Sequence, residues 1–214
     1  MKKMRMFVFS ICCIAIINMD LAAQNTKDLF SNSELPITWL GLDFSEVRYI
    51  GDPGTVDAIE MKKLFVKIND LIIQEPNKFK IGAAFQKSNI SNDISVTQKV
   101  NENMNAGNIL SYNDKDEKRI NEQIIKKIIN SDSYSSAGKG VGLLFIVESL
   151  NKNKESASVW IAFINLDKHT LIFSERVEGK ASGFGFRNHW AGSINSILKD
   201  IKSSLYNKWR NKSN

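Results

Sequence analysis

Three runs rich in Val, Ile, Phe and Trp follow one another in the C-terminal half of the chain, at residues 141–148, 158–164 and 170–177. In the first two runs, the odd-numbered and the even-numbered positions are both mainly apolar, which predicts strands with protein on both faces. The third run contains Ser174, Glu175 and Arg176, which favours a place near the sheet edge. Because the connections between the runs are short, we predict a C-terminal three-stranded antiparallel meander.

Three other segments carry apolar residues at three- and four-residue spacings, which predicts amphipathic helices. The first begins after the capping pair Asp57 and Glu60 and ends before Pro76. The second follows a similar pair, Asp114 and Glu117. The third begins near residue 188, and its Lys-, Asn- and Ser-rich end is expected to fray. The apolar positions are Met61, Leu64, Phe65, Ile68, Leu71 and Ile72; Ile120, Ile124, Ile125, Ile128 and Ile129; and Trp190, Ile194, Ile197, Leu198, Ile201 and Leu205.

Residues 37–44 form a short apolar run that predicts a first, mostly buried strand. Residues 79–110 are harder to interpret, because 79–85 alternate like a strand whereas 94–100 fit either a strand or a short helix. The order of elements predicts an α+β or α/β fold. We expect a mixed, mainly antiparallel sheet with the C-terminal meander, flanked by about three amphipathic helices. With 43% apolar residues and no internal repeat, residues 24–214 are predicted to form a single domain.

The first 23 residues have the pattern of a secretory signal peptide. Lys2, Lys3 and Arg5 precede an uncharged apolar run at residues 7–17, and Leu21-Ala22-Ala23 provides small residues before a cleavage point. We therefore expect an exported protein of the periplasm or cell envelope that begins at residue 24. The apolar run is shorter than the roughly 20 residues that span a bilayer, so no transmembrane span is expected in the mature form.

Cys12 and Cys13 are the chain's two cysteines, and both lie inside this apolar run. Cleavage would remove them, which excludes a disulfide framework and a cysteine-based metal site from the mature protein. An uncleaved anchor helix and a lipid-modified cysteine are the alternatives. The anchor helix is disfavoured because the apolar run is too short to span a bilayer. The lipid-modified cysteine is disfavoured because the apolar run continues beyond both cysteines.

The chain has a formal net charge of +6. Its basic residues are spread out, which argues against nucleic-acid binding, since that function needs a concentrated basic surface. A modest group stands near the C-terminus. It fits a solvated helix end, where cations complement the helix dipole, or a weak docking patch for an anionic surface. The group comprises Lys199, Lys202, Lys208, Arg210 and Lys212.

The best candidate site joins the last predicted strand to the last helix. Gly183 and Gly185 would let backbone amides approach a ligand, and Arg187 and Asn188 at the helix start favour an anion. Its neighbours Phe184, Phe186 and His189 are the candidate partner surface. The alternative is a tight turn in which Asn188 caps the helix and the two phenylalanines pack. The dinucleotide-binding fingerprint is absent, since it needs a third glycine.

Other candidate chemistry is weaker. His169 and His189 have no partner at helical ligand spacing, so no metal site is predicted. Gly138–Gly142 precedes a strand rather than a helix and therefore does not fit a phosphate-binding loop. The aromatic residues expected at the surface are Phe184, Phe186 and Trp209.

Four carboxylates, Asp43, Glu148, Glu175 and Glu178, lie at or near predicted strand ends. They could pair in a cleft for acid/base chemistry, or lie there because strand ends meet solvent. We favour the second interpretation. No catalytic residue and no cofactor is predicted.

The chain also contains several distinctive strings: Gly140 through Glu148, Asn151-Lys152, Glu178-Gly179-Lys180, Gly183 through Asn188, and Trp190-Ala191. Together with Trp39 through Ser45 and Ala22-Ala23-Gln24, they resemble an uncharacterised family of small exported proteins common in Bacteroidetes-type bacteria. The resemblance covers about residues 115–205 and implies export and a single domain, but no activity. In fold alone, the chain is similar to α/β domains of envelope assembly factors, such as curli-secretion lipoproteins and activators of penicillin-binding proteins.

These observations favour an exported envelope protein that works by binding, as an accessory or assembly factor, rather than by catalysis. Its partner would be an unknown envelope protein or an anionic ligand. The alternative is an enzyme or small-ligand receptor that holds a phosphate or carboxylate in the Gly-rich loop 179–190. The oligomeric state stays open.

Overall fold

The computed structural model describes residues 26–213. The predicted signal peptide, residues 1–23, lies outside the described residues. The described chain has an α/β fold, in which a curled seven-stranded sheet packs against helices.

The strands are β1 (Ile37–Asp43), β2 (Arg48–Ile50), β3 (Ile90–Asn92), β4 (Leu110–Ser111), β5 (Val141–Asn151), β6 (Ser156–Asn165) and β7 (Thr170–Lys180). The helices are α1 (residues 26–31), α2 (Ala58–Gln74), α3 (Ile81–Ala84), α4 (Ser95–Asn103), α5 (Glu122–Ile129), α6 (Phe186–Asp200) and α7 (Tyr206–Lys212). A π-helical turn (Ile201–Leu205) joins α6 to α7.

The long strand β5 organises the sheet. On one side it pairs antiparallel with β6, which pairs antiparallel with β7. On the other side it pairs in parallel with β1 along its first half and with β2 at its end. β1 and β2 therefore form one interrupted strand beside β5. The short strands β3 and β4 extend the sheet in parallel beyond β1 and β2.

The predicted mainly antiparallel sheet with a C-terminal meander is wrong as a description of this fold. Four of the six strand pairings among the described residues are parallel: β1 with β3, β1 with β5, β2 with β4 and β2 with β5. The error arises because β2, β3 and β4 have only two or three residues each. Strands that short leave no alternation to detect, and β3 and β4 join the sheet only after helical crossover connections.

Both faces of the sheet are covered, as the apolar runs predicted. Leu143, Phe145 and Val147 of β5 belong to a large core with α2, α6 and α7. The alternate residues Leu144 and Ile146 belong to a smaller core with α5 on the other face. The edge position of β7 is also confirmed, since it pairs only with β6 in the described sheet.

The first predicted helix is confirmed as α2, and the Asp57 side chain caps it by accepting a hydrogen bond from the Glu60 N–H at 2.8 Å. The second predicted capping pair is wrong. Asp114 and Glu117 lie in a separate 3₁₀ turn, and Asn121 caps α5 instead. The alternation at 79–85 was also misleading, because residues 81–84 are helical.

The C-terminal end does not fray. After α6 the chain continues through the π-helical turn into α7, where Trp209 is fully buried. The Tyr206 hydroxyl donates a hydrogen bond to the Phe30 carbonyl at 3.1 Å. The prediction of an exposed Trp209 is therefore wrong, because α7 packs its aromatic residues against α1 and the sheet.

Helix side chains complete the outer edge of β1. β3 pairs with β1 only as far as Trp39. Beyond that point the Thr97 hydroxyl donates to the Leu40 carbonyl at 2.6 Å. Asn69 accepts from the Leu42 N–H at 2.7 Å and donates to the Leu42 carbonyl at 2.8 Å. Asn101 donates to the same carbonyl at 2.9 Å. These buried side chains satisfy backbone groups that would otherwise lack partners.

Gly41 makes this arrangement possible. A Cβ at this position would lie 2.7 Å from the Thr97 hydroxyl oxygen and 2.8 Å from the Asn69 side-chain oxygen. Gly41 also has a φ of +94° and lies where the register between β1 and β5 shifts. A larger residue would meet strain and collision together.

Replacement of Asn69 by Leu tests the edge. We expect the free energy of unfolding to fall by about 2–3 kcal/mol, because both backbone groups of Leu42 would lose their Asn69 partner. Urea denaturation at pH 7 measures this loss. The matched variant Asn103→Leu changes an exposed asparagine of α4 and should shift stability by no more than about 0.5 kcal/mol. Equal effects of the two variants would contradict the proposed role of Asn69.

Candidate functional site

Of the predicted Gly-rich loop 179–190, residues 181–185 join β7 to α6, and the flanking residues belong to those two elements. β5 and β7 are both antiparallel to β6, so they run in the same direction. The loop therefore lies at the end of the sheet where β2, β4 and β5 also finish. In α/β folds this carboxyl end of the strands is the usual place for binding.

The loop is tied to the fold by its backbone. The Ala181 N–H donates to the Glu155 carbonyl at 2.8 Å, which joins the loop to the β5–β6 hairpin. The Ser182 N–H donates to the His189 carbonyl at 3.1 Å, which joins it to the first turns of α6. The loop is thus held from both sides.

Two glycines shape the exposed tip. Gly183 has a φ of +114° and Gly185 a φ of +76°, a region that side chains disfavour. Between them, Phe184 is 95% exposed. The backbone conformations of these two glycines direct the Phe184 ring into solvent. The predicted partner residue Phe184 therefore lies at the surface.

The other predicted residues divide between the surface and the core. Phe186 is half-buried, and its ring stacks on Tyr49 of β2 at 5.9 Å. It anchors α6. Arg187 is exposed, and its Nε donates to the Asn188 side-chain oxygen at 3.4 Å. Asn188 does not cap the helix, because Gly185 is at the N-cap and no side chain accepts from the first turn.

The histidines lie apart. His189 is half-buried, and its ring packs edge-on against Trp190 at 5.0 Å. Its Nε2 is buried without a hydrogen-bond partner in the described chain. His169 lies in the turn between β6 and β7, at the opposite end of the sheet from His189. Within residues 26–213, no group of three potential ligand side chains is placed to hold a metal ion.

The four carboxylates do not pair with one another. Each contacts a different partner: Asp43 contacts Tyr134, Glu148 contacts Arg176, Glu175 contacts Lys212, and Glu178 contacts Lys118. Glu148 is fully buried, and its ion pair with the Arg176 Nε at 2.8 Å is supplemented by the Ser158 hydroxyl at 3.0 Å. The Arg176 guanidinium also lies 4.8 Å from the centre of the Trp160 ring. This network neutralises Glu148 within the sheet.

Asp43 is the second buried carboxylate, and the sequence contains no periodic signal that connects it to Tyr134. The Tyr134 hydroxyl donates to one carboxyl oxygen at 2.6 Å, and the Ser45 N–H donates to the other at 2.7 Å. Burial raises the pKa of Asp43, although its hydrogen bonds to Ser45 and Tyr134 act in the opposite direction. Burial also raises the pKa of the Tyr134 phenol well above its usual value. The pair fastens the end of β1 to residues 132–134.

No helix within residues 26–213 has the length and apolar character needed to cross a membrane. No protein-family model matches the chain. No curated protein is a significant match to it either. The resemblance to exported envelope proteins therefore stays a prediction.

Replacement of Asp43 by Asn should change how stability depends on pH. A raised pKa in the folded state means that the stabilising contribution of Asp43 is complete below the unfolded pKa and is lost as pH rises through the folded pKa. Each unit of elevation corresponds to about 1.4 kcal/mol. As the pH rises from acidic to neutral, the unfolding free energy of Asp43→Asn should therefore increase relative to that of the wild type. Urea denaturation at each pH measures this difference. Asp132→Asn, at an exposed position, should show no such trend, and parallel pH profiles for all three proteins would refute the effect.

Proposed function

We propose that the chain is an exported protein of the cell envelope that acts by binding another envelope component, as an accessory or assembly factor. The pattern of residues 1–23 supports export. One structural observation supports binding. The exposed large apolar side chains of residues 26–213 are Ile59, Tyr112 and Phe184, and all three follow carboxyl ends of strands on one side of the sheet.

The placement of these three side chains follows from the topology. Ile59 lies in the first turn of α2, after β2, and Tyr112 follows β4 directly. Phe184 follows β7. Their exposures are 63%, 80% and 95%, respectively. Because β2, β4 and β7 run in one direction, these residues share one end of the molecule, which we call the carboxyl-end surface.

Phe184 is the strongest anchor on the carboxyl-end surface. Exposed aromatic rings are favourable to bury and often dominate binding energy. The backbone hydrogen bonds of Ala181 and Ser182 already hold this loop, so a partner would lose little free energy in ordering it. Phe186, packed on Tyr49, connects the loop to β2 at the same end.

A photo-crosslinking amino acid at position 184 tests this function in the native host. We expect a covalent adduct with an envelope component, in the envelope fraction, on a mature chain that begins at residue 24. The same group at exposed Lys168, at the opposite end of β7, should give no such adduct. Phe184→Ala should change the unfolding free energy by no more than about 0.5 kcal/mol, yet abolish capture through a second crosslinker at position 112. Equal capture from positions 168 and 184 would count against the carboxyl-end surface.

A second function, the binding of a small anion, is favoured by the start of α6. No side chain caps this helix, and exposed Arg187 lies in its first turn. Uncapped N–H groups and a nearby guanidinium suit a carboxylate or phosphate. The same loop would then hold a ligand instead of a protein partner.

Arg187→Ala distinguishes this second function. We expect the variant to keep the thermal stability of the ligand-free protein, because Arg187 is exposed and makes one long hydrogen bond. It should lose any increase in melting temperature that acetate, a small carboxylate, causes in the wild type. Differential scanning calorimetry measures both quantities. If the variant keeps the acetate effect, the anion does not bind at this helix start.

A further inference from the structure

A basic cleft lies at the other end of the molecule. It has a volume of about 400 Å³, and four lysines line it: Lys78, Lys80, Lys199 and Lys202. Asn77, Asn195 and Leu198 complete its lining. The volume is within the range of small-molecule sites in proteins.

Two separate segments bring these lysines together. Lys78 and Lys80 lie in the turn after α2, where buried Phe79 holds the backbone against the core. Lys199 lies in the last turn of α6, and Lys202 lies in the π-helical turn. Such turns are rare and frequently occur at functional sites. Here the turn carries a cleft lysine, while its first residue, Ile201, is buried.

Most of this positive charge is not neutralised within the protein. Lys78 forms an ion pair with Glu75 at 3.0 Å. Lys80, Lys199 and Lys202 have no carboxylate within ion-pair distance in the described part of the chain. Lysines that line one cleft without counter-charges repel one another, and a polyanion removes that repulsion.

We propose that this cleft binds a polyanionic phosphate group, such as a diphosphate. Lysine acts as a compact positive charge with three donors, which suits phosphate oxygens that point in several directions. Asn77 and Asn195, which line the same cleft, would add neutral donors beside the charges. A soluble phosphate ester and a phosphorylated lipid headgroup share this chemistry.

The basic cleft is independent of the carboxyl-end surface. Helices α2 and α6 each begin at the carboxyl ends of the strands and run back toward the other end of the sheet. The cleft uses their final turns, whereas Ile59 and Phe184 lie near their starts. Occupation of one surface therefore leaves the other accessible.

Pyrophosphate is the soluble probe, titrated calorimetrically into the purified protein at two salt concentrations. We expect binding that weakens with salt, as for ion-paired phosphate. The triple variant Lys80→Gln, Lys199→Gln, Lys202→Gln should bind at least about tenfold more weakly. The matched triple Lys127→Gln, Lys139→Gln, Lys168→Gln, at exposed positions away from the cleft, removes the same charge and should stay within about twofold of the wild type.

Two further measurements distinguish a soluble phosphate ester from a lipid headgroup, and the basic cleft from the start of α6. Sedimentation with vesicles that contain phosphatidic acid, whose headgroup is a phosphomonoester, detects a lipid headgroup, and the cleft triple variant should lose that binding too. Arg187→Ala should leave both kinds of binding unchanged. Loss of binding in Arg187→Ala would move the site to the start of α6 and overturn the proposal. Equal losses in the two triple variants, or no wild-type binding to pyrophosphate or vesicles, would also overturn it.

Discussion

The outer edge of β1 is closed by helix side chains after only three residues of strand pairing. A buried edge without partners would leave several N–H and C=O groups unsatisfied, each at a cost of about 1–3 kcal/mol. Asn69 of α2 and both Thr97 and Asn101 of α4 supply the missing partners. These bonds bind two crossover helices to one strand.

The fixed position of α2 has consequences across the larger core. The ring centres of Phe65 in α2 and Phe186 at the start of α6 are 6.1 Å apart, and the Phe186 ring stacks on Tyr49 of β2. The same helix that completes β1 therefore supports the loop that exposes Phe184. Because α2 and α6 run in the same direction, their starts and ends lie at opposite ends of the sheet. A helix dipole favours a cation in the last turn of a helix, which accounts for Lys199 in α6, but the last turn of α2 has no basic residue. The dipole therefore does not explain the four lysines around one cleft.

Long elements were predictable from the sequence, whereas their partners were not. Periodicity identified α2, β1 and the three strands β5 to β7, because each buries a face over many residues. Strand direction depends on how crossovers place distant segments, and two- or three-residue strands such as β4 contain no pattern that shows it. The glycines of the candidate loop were also recognisable. The sequence did not show that Phe186 packs on Tyr49, since that contact depends on the distant strand β2.

Residues near both ends of the described chain are buried and are therefore part of the fold. Leu29 and Phe30 of α1 are buried in the larger core, and buried Lys87 donates to the Leu29 carbonyl at 2.6 Å. Burial lowers the pKa of Lys87 to about 8, so its ammonium form is less favourable in the folded chain than in water. This cost is tolerated because the amine satisfies helix-end carbonyls that lack partners within α1. Tyr206 of α7 holds the same helix through Phe30. Cleavage after residue 23, as the sequence predicts, would leave all these contacts in the mature chain, whereas cleavage a few residues beyond α1 would remove them.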